Sequence, residues 1–190
     1  MKAKKGEIGY IRYEKIRRFF VTIILFLIPA VIFISGYLYH GSKKNILTVV
    51  ALVGCLPACK STVGLIVMLM QKSPKIKLMK EIQSHAGKLT MAYEMIFTTY
   101  EKNAAVDAAV IHGHDILCFM PSPKAGEQKM IREHLEKMLK HNGYGVTVHI
   151  LENKEKFIER LDAINKLNQG EEHASEFEEK ICHIMLNLVL

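Results

Sequence analysis

The 190-residue sequence predicts an N-terminal transmembrane helical hairpin followed by a small cytoplasmic α/β (α+β) domain, with soluble elements in the order α-β-β-β-α-β-α-α. Three observations lead there. Residues 1–70 hold two long runs almost free of charge, basic residues crowd the outer flanks of those runs, and beyond residue 73 the apolar positions fall into short alternating and helical periods. Charge divides the chain at about the same place: residues 1–80 carry 14 Lys/Arg against 2 acids, and residues 81–190 carry 12 against 17. The net charge of +7 therefore describes neither half. The acidic half lacks the basic face that nucleic acid requires, so no nucleic-acid partner is expected. Four Cys, at positions 55, 59, 118 and 182, are too few and too scattered for a disulfide-stapled secreted fold and indicate a reducing compartment.

The first run, Phe19 to Tyr39, has 21 residues without a formal charge, close to the roughly 20 that cross about 30 Å of hydrocarbon as a helix. Ile23 to Ile34 is apolar all round apart from Pro29, whereas a soluble core helix keeps a polar face. A cleaved signal peptide fits poorly, because its apolar region is shorter and here a second run follows at once. Residues 40–45 form a short external turn. The second run, Ile46 to Met70, has 25 residues with one charge, Lys60, three residues after Pro57. A Lys at mid-bilayer costs about 2.5–3.5 kcal/mol on insertion scales, which the flanking Leu, Val, Ile and Met outweigh. Two readings of Lys60 stand side by side. Its ammonium faces the other helix, a partner or a small wet notch, bonded to carbonyls freed by Pro57, or it snorkels with local thinning of the bilayer. A re-entrant segment broken at Pro57 is a third geometry. Cys55 and Cys59, four apart, share a helix face with the wrong spacing for a CxxC pair and read as buried structural thiols.

Flanking charge sets the orientation. Residues 1–18 contain seven Lys/Arg, the segment after Met70 has Lys72, Lys75, Lys77 and Lys80, and the connecting turn has only Lys43 and Lys44. Both termini are therefore expected in the cytoplasm. The lipid bilayer is the first expected partner, with the basic flanks, near Tyr10 and Tyr13, holding anionic headgroups.

After Ser73-Pro74, residues 71–90 form a juxtamembrane connector whose Ile76, Leu78, Met79 and Ile82 fit one helix face. The cytoplasmic domain occupies residues 91–190. Met91 to Tyr100 alternates at Tyr93, Met95, Phe97 and Thr99 and predicts a strand. Ala105 to His112 and Ile116 to Met120 predict two more, with His112-Gly113-His114-Asp115 as the hairpin between them. Ala125 to Asn142 predicts a helix closed by Asn142-Gly143, and Val146 to Leu151 a fourth strand. Asn153 is placed to cap a helix bearing Phe157, Ile158, Leu161, Ile164 and Leu167. A last helix from Glu172 to the end begins acidic, which suits its dipole, and ends apolar, which favours docking on the domain over exposure.

This order resembles the core of PD-(D/E)xK nucleases over roughly residues 76–152. The resemblance is carried by Asp107 on the second strand (AAVDAAVIHG), a hairpin, and the third strand DILCFM. It implies Asp107 as a metal-holding acid, beside an acid-x-Lys on the third strand that positions the attacking water. At that place this chain has Cys118, Phe119, Met120 and Pro121, which neither bind a hard cation nor polarise water. Glu94 or Glu101 can replace a carboxylate but not the Lys, so the resemblance reaches the fold and not the activity.

His112, His114 and Asp115 around Gly113 offer three ligand types for a metal, set against an exposed hairpin turn in which Gly113 supplies a positive φ; the turn is the reading adopted, and no metal is expected. No phosphate-binding Gly-rich loop, GxSxG elbow or GxGxxG occurs, and Gly143-Tyr144-Gly145 closes a helix where a dinucleotide motif opens one, so no cofactor is expected. The basic start, the LPACKS second span and the compact C-terminal domain resemble small two-span membrane proteins of low-GC Gram-positive bacteria. These features lead to the expectation of a membrane-anchored, non-enzymatic module whose cytoplasmic domain binds a protein partner or itself. An enzyme on a nuclease-like or transferase-like fold, acting as a phosphodiesterase or a glycosyltransferase, is the alternative.

Overall fold

The computed structural model describes residues 3–41, 46–98, 103–167 and 176–189. It divides into two compact units, Ile11–Lys72 on one hand and Met1–Tyr10 with Ser73–Leu190 on the other.

The first unit is a pair of antiparallel helices, α1 (Tyr10–His40) and α2 (Ile46–Met70). Both are long and apolar enough to cross a membrane. Helix α1 starts nine residues before the uncharged run. Glu14 supports that basic extension by pairing with Arg17 at 2.7 Å and Arg18 at 2.9 Å, one helical turn on. Helix α2 runs unbroken through Pro57, as a continuous second run requires, and the alternative of a re-entrant break there does not occur. The two helices are held in register along their length. Lys15 Nζ donates to the Gln71 carbonyl at 2.6 Å and Arg18 Nη1 to the Gly64 carbonyl at 3.2 Å. The Thr22 and Ser61 hydroxyls lie 2.8 Å apart, and a Cβ on Gly54 would stand 3.5 Å from that of Pro29. Small residues on the facing side of α2, with Ala51 and Ala58 buried, allow this approach. The outer faces are apolar and open, among them Ile24, Leu27, Val31, Leu52, Leu56 and Val63. Cys59 lies on that open surface and is not the buried thiol expected, while Cys55 is partly covered. The turn carrying Lys43 and Lys44 lies outside the described residues.

The second unit is a three-layer sandwich. Its sheet has the order β1 (Thr90–Thr98), β2 (Asn103–His112), β3 (Asp115–Phe119), β4 (Thr147–Leu151). The first two pairings are antiparallel; β3 and β4 are parallel, joined by α4 (Glu127–His141), since a parallel pair needs a long crossover. Helix α3 (Ile76–Ala86) and α5 (Lys154–Leu167) cover one face of the sheet; α4 and α6 (Glu176–Leu188) cover the other. The element order expected from the sequence is the one found. Asn153 caps α5, its Oδ1 accepting the Glu155 N–H at 2.7 Å. The apolar turns of α6 dock: Ile181, Met185 and Val189 are buried against β1, β2 and α4.

Strand β1 is an edge, and the chain's own two ends close it. Near the N-terminus the Gly6 carbonyl accepts the Tyr93 N–H at 2.9 Å; near the C-terminus Val189 bridges Phe97. Lys5 ties these straps together by donating to the Val189 carbonyl at 2.8 Å. Glycine suits position 6 because its φ of +86° is strained for any residue with a Cβ; an added Cβ would also push aside the Leu186 Cδ2 methyl, 2.8 Å away. Tyr10, within the basic N-terminal flank, is buried and belongs to this unit.

Candidate functional site

The two described acids singled out by the nuclease resemblance meet in the sheet. The pairs Tyr93↔Ala108 and Met95↔Val106 bracket Glu94 and Asp107, which places these two opposite each other on neighbouring strands. Both strands lose their alternation at this point. On β1, Ala92 and then Met95 and Phe97 enter the core beneath α4 and α6, whereas Tyr93 enters the core beneath α3 and α5. On β2, Ala104 and Val106 share the first core with Ala109 and Ile111, whereas Ala108 and Val110 enter the second. Each strand thus carries one out-of-phase residue, and the two lie face to face. Glu94 absorbs the irregularity with a φ of +52°, the one positive value among the described non-glycine residues. The regular alternation of Tyr93 with Met95 and Phe97 expected from the sequence is therefore broken after Tyr93.

The electrostatics follow from this geometry. Asp107, partly buried, has its carboxyl pushed up to about 6, first by loss of solvent and second by the charge of Glu94. Glu94 is almost wholly enclosed, and its Oε1 accepts the backbone N–H of Gly9 at 2.6 Å, just before α1 begins. A helix start carries partial positive charge and exposed N–H donors, so it favours a carboxylate and disfavours a cation. Glu94 thus holds the N-terminal strap, with Asp107 beside it. By register, Met120 lies level with Asp107 just beyond β3. Met120 and Cys118 both point into the apolar core, and burial pushes the Cys118 thiol up to about 12, which keeps it protonated and non-nucleophilic. Glu101 lies outside the described residues.

The hairpin residues His112, His114 and Asp115 diverge. His112 and Asp115 pair across β2 and β3, leaving a two-residue turn with Gly113 at a φ of +54°. His112 Nδ1 is 3.8 Å from Glu178 Oε1, and Asp115 Oδ1 is 3.8 Å from His149 Nε2. His114 donates from Nδ1 to the Gly145 carbonyl at 2.8 Å and lies against the Phe177 ring. No group of three or more potential metal ligands forms among the described residues. Beside this hairpin a cavity of about 300 Å³ opens between the sheet and α5, with Val110, Leu117 and Ile164 as an apolar floor and Asp115, His149 and Arg160 at its rim.

Sequence reasoning missed Glu178, which is buried in the first turn of α6. Its Oε1 accepts the Gly113 N–H at 2.7 Å and its Oε2 the Thr90 hydroxyl at 3.4 Å, fastening α6 to the hairpin and to the start of β1. An acid in the first turn of a helix is ordinary, so nothing local marks this one. Lys60 lies on the exposed side of α2, and among the described residues its ammonium makes no bond to a carbonyl freed by Pro57. Comparison of the chain with known protein families, with curated proteins and with solved structures finds no match.

Proposed function

We propose that this chain crosses the membrane twice, with both termini in the cytoplasm, and that its sheet domain is a non-enzymatic module for protein interaction or self-association. The observation that carries the orientation is the strap. Residues before α1 pair with β1 of the domain that follows α2, and two segments joined in one compact unit lie on one side of a bilayer. An even number of crossings satisfies that requirement, and two apolar helices separate the segments. The basic residues before the first apolar run (Lys2 to Arg18) and after the second (Lys72 to Lys80) outnumber Lys43 and Lys44 between the runs and support the cytoplasmic assignment, each near the surface contributing about 1 kcal/mol of attraction to an anionic leaflet.

The non-enzymatic reading is supported by how the acids are used. Hydrolysis of a phosphodiester in the nuclease manner needs two metal-binding acids and a polarising cation in one cleft. Here Glu94 is committed to the Gly9 N–H, and core-facing Cys118 and Met120 stand at the remaining positions. The full chain in detergent with Mg²⁺ or Mn²⁺ is expected to leave DNA and RNA intact and to bind either ion no better than an ordinary acidic surface. The enzyme reading draws on one observation, the convergence of Asp107 with Glu94. Metal-dependent cleavage lost in Asp107→Ala, with the melting temperature unchanged, would establish it in place of the module.

A further inference from the structure

Lys60 occupies a face of α2 that the hairpin leaves open. The side toward α1 is marked by Ala51, Gly54, Ala58, Ser61 and Leu65, at alternating spacings of three and four. Lys60 lies roughly a third of a turn round from that seam, on the same side as exposed Val49, Val53, Leu56 and Val63. No described residue pairs with its ammonium.

Snorkelling is a poor solution for this position. Ten residues separate Lys60 from Met70 and fourteen from Ile46, about 15 Å and 21 Å along the axis at the helical rise. A four-carbon stem covers less than half of the shorter path. Side chains on a helix also tilt toward its N-terminus, which aims Lys60 at Ile46, the farther end. Lipid phosphates lie beyond the hydrocarbon and out of its reach.

The counter-charge must come from elsewhere. Residues 15–80 contain no Asp or Glu, so neither α1 nor a second hairpin supplies a carboxylate within the membrane. Two copies packed on this face would set ammonium against ammonium. We infer that the face of α2 around Lys60 docks a transmembrane helix of a different protein, one that carries an Asp or Glu at matching depth. This rests on the two-span reading. Intramembrane charges pair with one another in this way because a desolvated ion pair is far less costly than an isolated ion.

The test uses the full chain in its native membranes, with a photocrosslinking residue at Leu56 or Val63 and, as a control, at Ala58. Adducts are expected from the first two positions, with a second polypeptide that has an acidic residue in a membrane span. They should fall about ten-fold or more in Lys60→Leu and return when Lys60→Asp is combined with an acid-to-Lys change in the partner. Adducts with lipid alone or with a second copy, or adducts indifferent to Lys60→Leu, would overturn the inference. Release of the protein by alkaline carbonate would instead remove the two-span reading beneath it.

Discussion

Ile181→Ala is expected to destabilise the sheet domain by about 2–5 kcal/mol, the range for truncating a buried aliphatic side chain that its surroundings cannot replace. Ile181 is wholly buried on the face of α6 that lies against β1 and β2, in the same core as Met95, Phe97, Ala109 and Ile111. The loss should appear as faster amide hydrogen exchange in α6 and β1 together. The reason is that Glu178 fastens the start of that helix to Gly113 and Thr90, while Val189 closes the edge of β1 just beyond its end. An α6 that stood away from the domain would leave β1 exchange unchanged by the same substitution.

Asp107→Asn is expected to stabilise the domain at neutral pH and to abolish a pH slope. The folded carboxyl titrates near 6, above its ordinary 3.8, so between those values the folded chain binds more protons than the unfolded one. Stability therefore falls as pH rises through that window, by at most about 3 kcal/mol once the group is fully ionised. Asparagine removes the like charge beside Glu94 and offers an N–H₂ in its place. Denaturant unfolding of the full chain in detergent at pH 4.5 and pH 8 measures the effect. Wild type should be the less stable at pH 8 by this residue's contribution, and the variant should lose that contribution. A wild-type slope unchanged in the variant would place the titrating group elsewhere.

The elements were legible because each carries a local signal. Runs almost free of charge and long enough for a bilayer mark α1 and α2, Gly113 shapes a two-residue turn with a positive φ, and Asn153 caps α5 with its own side chain. Asp107 was legible as a singular acid inside an apolar strand, and its partner Glu94 as an acid on the strand before. Contacts joined over long sequence distances were not legible. Nothing in Lys5, Gly6 or Gly9 announces that these residues close the edge of a strand about 90 positions away. The shared phase slip at Glu94 and Asp107 belongs to two strands at once, and a single strand's alternation does not report it. His112, His114 and Asp115 look like a cluster in sequence, yet pairing of the first with the third across the hairpin sends their outer atoms to different neighbours.

Because the N-terminal strap and the sheet domain join in one unit, both lie on one side of the bilayer in a two-span chain, and compartment-sensitive reporters fused before Met1 and after Leu190 of the full chain test this sidedness. Both reporters should read cytoplasmic, and exchanging Lys72, Lys75, Lys77 and Lys80 for neutral residues should weaken that bias. An external signal from the C-terminal fusion with a cytoplasmic one at the N-terminus would contradict the account, because Gly6 and Tyr93 would then lie on opposite sides of the bilayer.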